Sequence, residues 1–94
     1  MLHKSQRLGD QLFWDVRRQK RVSIPEGVEL IGRYWFYSCG VECVTVPASV
    51  TQIGEMAFAR CELLKRVAFQ DGSQLRAIGD RCFAWSGLEE IRAP

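Results

Sequence analysis

Asparagine is absent from this 94-residue chain, and histidine occurs once, as His3. Without asparagine there is no N-glycosylation sequon. A single histidine close to the N-terminus leaves no Ser-His-Asp or Cys-His arrangement to build. No Gly-rich phosphate loop is present. Glu89 and Glu90 are neighbours on an expected strand and so face opposite sides, which does not make a carboxylate pair. These absences argue against catalysis and against a cofactor. No run approaches the roughly 18 apolar residues of a membrane helix. Met1 to Arg7 is polar and lacks the apolar core of a secretory leader.

What is present is an apolar content of 47%, enough for a core rather than a disordered chain. The length suits one domain. A short phrase recurs along it. Val22-Ser23-Ile24-Pro25 leads to Ile31-Gly32, Phe36 and Cys39. Val44-Thr45-Val46-Pro47 leads to Ile53-Gly54, Phe58 and Cys61. Val67-Ala68-Phe69 leads to Ile78-Gly79, Phe83 and Ser86, and a further copy opens at Ile91-Arg92-Ala93-Pro94. Repeats of about 20–29 residues imply a solenoid whose units bury their apolar faces against one another.

The spacings assign the slots. Ile and Phe stand five residues apart in every copy, and Phe and Cys/Ser three apart. Length varies at Asp71-Gly72-Ser73 and Glu62-Leu63, where turn residues accept insertions. Alternation at period two turns Val44 and Val46 inward and Thr45 outward. Pro25, Pro47 and Pro94 end their strands for want of an N–H. Each Ile-Gly pair reads as a second short extended segment. Gly32, Gly54 and Gly79 take either a positive φ or a close backbone approach. The stretch from Glu55 to Arg60 suits one helical or 3₁₀ turn.

Leu8, Phe13 and Val16 are in phase with the repeat, so 8–21 reads as a degenerate capping half-repeat after a flexible tail, 1–7. An independent amphipathic helix over 1–21 is the alternative. Full repeats follow at 22–43, 44–66 and 67–90, with a partial one at 91–94, so 8–94 reads as one repeat domain.

Val44 to Leu64 carries Val44, Val46, Pro47, Val50, Ile53, Gly54, Ala57, Phe58, Cys61 and Leu64. This pattern resembles the BspA-like leucine-rich-repeat family. The other copies depart from it at Trp35, Val41, Gln70, Cys82 and Ser86. The resemblance implies a β-rich α/β fold: a short solenoid with a small parallel sheet on one face and loops or single helical turns on the other. It also implies a surface or secreted binding protein, and it carries over no site residue. A chain complete as read belongs in the cytoplasm for want of a leader. A piece of a longer family member belongs at the cell surface.

Cys39 and Cys61 share a slot in adjacent repeats, about 5 Å apart at strand spacing. That permits a disulfide or a row of buried thiols, and the missing leader favours thiols. Cys39 and Cys43 diverge too far for zinc, so no metal site is assigned.

Binding is therefore the expected function, through outward strand positions facing a protein partner. Arg21, Cys43, Arg66 and Glu90 form one row, and Ser23, Thr45, Ala68 and Arg92 the next. Arg66 and Arg92 are the preferred contacts, with Arg21, Thr45 and Glu90 beside them. A second reading uses charge. Residues 1–21 carry six basic and two acidic groups, and residues 22–94 seven and nine. Arg17, Arg18, Lys20 and Arg21 form a basic patch that suits an anionic surface or nucleic acid, although no aromatic-interleaved nucleic-acid motif accompanies it. A third reading makes the repeats a structural spacer. The aromatics Trp14, Tyr34, Trp35, Tyr37 and Trp85 either pack over the repeats or form an exposed patch. Residues 67–94 lack a complete covering unit, so Phe83 and Leu88 are expected to be partly bare. Self-association there, or continuation into a longer array, is the expected consequence.

Overall fold

The computed structural model describes residues 17–92, and of Glu90 to Arg92 the backbone alone. The expectations for the tail 1–7, for Leu8, Phe13, Trp14 and Val16 of the cap, and for Ala93 and Pro94 lie outside the described residues.

The described residues form seven short strands, all parallel to their neighbours. Strands β1 (Arg21–Ser23), β3 (Cys43–Val46), β5 (Arg66–Phe69) and β7 (Glu90–Arg92) form one sheet in chain order. Strands β2 (Leu30–Ile31), β4 (Gln52–Ile53) and β6 (Ala77–Ile78) form a second. The register follows the repeat: Val22 pairs with Val44, Val44 with Val67 and Val67 with Ile91. The Ile-Gly segments, expected to be extended, pair as Ile31 with Ile53 and Ile53 with Ile78.

A third wall joins the repeats along the stretch expected to form loops or single helical or 3₁₀ turns. The N–H groups of Tyr34, Phe36 and Ser38 donate to the carbonyls of Glu55, Ala57 and Ala59 in the next repeat, at 3.3, 2.8 and 3.0 Å. Met56, Phe58 and Arg60 donate onward to Asp80, Cys82 and Ala84. The intervening residues close local turns, such as Trp35 to Gly32 and Ala59 to Met56. A helix cannot do both, because its N–H groups all point along its own axis. The chain escapes the helix by taking positive φ at Tyr34, Ser38, Met56, Arg60, Arg81 and Trp85, two equivalent slots in each repeat. The left-handed conformation costs about 1–2 kcal/mol per non-glycine residue. The cross-repeat hydrogen bonds from four of these residues offset that cost.

The three walls enclose a core of matched rows. Val22, Val44 and Val67 are buried, as are Ile31 with Ile53, Phe36 with Phe58, and Val41 with Leu64. Phe36 and Phe58 stack at 5.0 Å, and Phe58 and Phe83 at 5.5 Å. The rows thin towards the last repeat. Leu75, Phe83 and Leu88 are half-buried, and Ile78 is 47% exposed where Ile53 is 2% exposed.

The glycines serve close approach. A Cβ on Gly54 would stand 2.7 Å from the backbone nitrogen of Arg33, and one on Gly79 would strike the backbone at Glu55. Positive φ among the glycines occurs at Gly27 and Gly72 instead. Gly32 makes room for a side chain: the Trp35 indole lies where its Cβ would be. That explains how tryptophan occupies a slot held elsewhere by the buried Ala57 and Cys82. The ring packs against the outside of the core, over the glycine, and is half-buried.

Candidate functional site

Strand pairing fixes the outer face of the four-stranded sheet. Arg21, Cys43, Arg66 and Glu90 are register partners in one row, and Ser23, Thr45, Ala68 and Arg92 in the next. Both rows match the sequence reading. Val22, Val44 and Val67 are buried, so their neighbours on β1, β3 and β5 face out.

The face is hollowed at its middle. A cavity of about 350 Å³ is lined by Arg21, Ser23, Cys43, Thr45, Arg66 and Ala68, with Val22 and Val44 below. Arg21 and Arg66 are exposed, and Cys43 and Thr45 half-buried. Of the residues named from sequence, the hollow gathers Arg21, Thr45 and Arg66. Glu90 and Arg92 follow on β7. Cys43 is the central residue that the sequence reading passed over. Its place between Arg21 and Arg66 in the row follows from the repeat phasing.

The four cysteines are free thiols in two environments. Cys39, Cys61 and Cys82 are buried and Cys43 is not. The Cys39 thiol donates to the Arg17 carbonyl at 3.2 Å, and the Cys61 thiol to the Phe36 carbonyl at 2.8 Å. Burial raises the Cys61 and Cys82 thiols from 9.0 to about 11, because an apolar site disfavours the thiolate. Among the described residues, no three His, Cys, Asp or Glu side chains converge as a metal site would require.

The basic segment is divided between two walls. Arg17 donates from its two terminal nitrogens to the carbonyls of Trp35 at 2.5 Å and Tyr37 at 3.2 Å, clipping the segment to the turn wall. Arg21 lies on the sheet face. Arg18 and Lys20 are exposed between them. The aromatics divide likewise. Tyr34 meets Tyr37 edge-on at 5.5 Å, while Trp85 is 59% exposed with the Arg60 guanidinium 5.0 Å above its ring. No helix among the described residues is long and apolar enough to cross a membrane.

Comparison with known proteins agrees with this architecture. No curated protein matches the chain. The chain is similar to a solved structure, a leucine rich cell surface protein from Faecalibacterium prausnitzii A2-165, at 33% identity and a TM-score of 0.65. The match covers 72% of this chain and 21% of that one, so the likeness spans about a fifth of the larger protein. The family model of the BspA type leucine rich repeat region (6 copies) matches residues 2–94. With its repeat phasing, parallel sheets and matched core rows, this chain belongs to the BspA-type leucine-rich-repeat family.

Proposed function

We propose that the chain is a non-catalytic recognition module that takes a protein partner on the outer face of its four-stranded sheet. The observation that carries this reading is the hollow at Arg21, Thr45 and Arg66, formed by period-matched side chains from three successive repeats. Stacked repeats bind through such extended surfaces. The cell-surface character of the structural relative agrees with a binding role.

Peptides selected from a random library on the folded chain test it. Thr45→Trp fills the hollow, while Glu62→Ala alters an exposed position on the turn wall. We expect Thr45→Trp to weaken the selected peptides by about tenfold or more, the loss of one good anchor. Glu62→Ala should leave them unchanged. Peptides indifferent to Thr45→Trp would place recognition elsewhere and overturn the reading.

A specific observation also favours self-association through residues 67–94. Ile78 is exposed, Phe83 and Leu88 are half-covered, and β6 and β7 each have one strand neighbour among the described residues. An apolar edge with unpaired backbone groups suits the same edge of a second copy.

A further inference from the structure

The hollow on the sheet face has a definite chemistry. Neighbouring strands run about 4.8 Å apart, so the Arg21 and Arg66 backbones stand about 10 Å apart with Cys43 between them. The short Cys43 side chain leaves the space that the two longer residues border. Ser23 and Thr45, in the adjoining row, add hydroxyl donors to the same cavity. The residues that line it carry two guanidinium groups and two hydroxyls, a donor-rich set. It matches a carboxylate, whose two oxygens accept paired N–H bonds.

We propose that this hollow receives an aspartate or glutamate side chain from an extended acidic segment of a partner protein, its carboxylate held between Arg21 and Arg66. The proposal rests on the recognition reading above and adds the partner's chemistry. A long polyanion is the poorer fit. Residues 22–94 carry nine acidic groups against seven basic ones, which opposes a long run of negative charge. A nucleic acid running along the face meets that repulsion, whereas a single carboxylate at the hollow stays between the arginines. The nearby cation Arg17 is turned to backbone carbonyls on another wall.

Cys43 is a built-in reporter. It is the half-buried thiol at the centre of the hollow, while the other three are buried. Neutral iodoacetamide near pH 8 therefore alkylates Cys43 first, and mass spectrometry of the intact chain and its peptides follows the rate at that position. The probes are hexaglutamate, hexaglutamine and a short single-stranded oligonucleotide. We expect hexaglutamate at low salt to slow Cys43 alkylation about fivefold or more, with the protection lost near 0.5 M salt. Hexaglutamine and the oligonucleotide should protect weakly or not at all. Arg21→Gln and Arg66→Gln should each remove the protection. Both positions are exposed strand sites, and an unchanged far-ultraviolet circular dichroism spectrum confirms that each variant is folded. Protection that survives both substitutions overturns the proposal. So does no protection by hexaglutamate, or stronger protection by the oligonucleotide. Equal protection by hexaglutamine also overturns it, while leaving the sheet face as a peptide site. Loss of the recognition reading has a different signature, namely library peptides that ignore Thr45→Trp.

Discussion

Phe36 lies over Phe58 with ring centroids 5.0 Å apart and planes only 3° from parallel. Phe58 repeats the relation with Phe83 at 5.5 Å and 13°. Identical side chains in identical slots of stacked repeats must meet at the repeat spacing, so the stack is the core's most direct report of phasing. Phe58 has a ring on either side and is fully buried, while Phe83 is half-buried.

Phe58→Ala should therefore cost about 3–5 kcal/mol, the range for a buried phenylalanine. Phe83→Ala should cost distinctly less, since one face of its ring lacks a phenylalanine neighbour among the described residues. Urea unfolding of the two variants decides it. A loss below about 1 kcal/mol at Phe58 would contradict the stack.

The glycines make a paired prediction. A Cβ on Gly79 strikes the backbone at Glu55, which cannot yield as a side chain can. Gly79→Ala should destabilise by about 1–3 kcal/mol, as overpacking does. A Cβ on Gly40 meets nothing within 4 Å, and its φ is not positive. Gly40→Ala should be neutral, or stabilise by up to about 1 kcal/mol through the unfolded chain. Equal melting temperatures for the two variants would remove the close-approach account.

Ser38 tests the turn wall. It sits exposed at φ 56°, with its N–H on the Ala59 carbonyl. A β-branched side chain is poorly accommodated at positive φ, so Ser38→Val should cost about 1–2 kcal/mol. Ser38→Gly relieves the conformation and should be much better tolerated. A thermal melt that ranks the two variants the other way would show that the left-handed slots are not required.

Alkali should weaken the fold through the buried thiols. Cys61 and Cys82 rise to about 11 in the folded chain, above the ordinary value of 9.0. The folded state thus holds protons that the unfolded state has released. Their contribution is complete below pH 9 and is lost as pH climbs towards 11, by up to about 1.4 kcal/mol per unit for each thiol. Unfolding midpoints measured from pH 8 to 11 should fall. Cys61→Ala, stable enough to follow at pH 8, should flatten that fall. An unchanged slope in this variant would rule out the Cys61 thiol as a source of the pH dependence.

The exposed apolar edge at Ile78 gives a concentration-dependent expectation. Sedimentation at micromolar concentration should detect a dimer, and Ile78→Glu should return it to monomer by setting a charge in the apolar edge. A strictly monomeric chain over that range would defeat the self-association reading.

Spacing within one repeat was enough to determine which residues share a row. The strand period of two and the fixed interval from Ile to Phe leave a single phase in which every apolar slot is buried. The rows from Arg21 to Glu90 and from Ser23 to Arg92, and the stack from Phe36 to Phe83, were legible for that reason. Contact between repeats decided the rest. Gly54 and Gly79 serve a neighbour's backbone, Gly32 serves an indole, and Arg17 reaches carbonyls about twenty residues away. The stretch from Glu55 to Arg60 has the length of a helical turn, yet its N–H groups alternate between their own turn and the next repeat. Local propensity sees only the first partner. The second exists only once another repeat is in place, and its hydrogen bonds are what hold Met56 and Arg60 in a conformation that neither residue prefers.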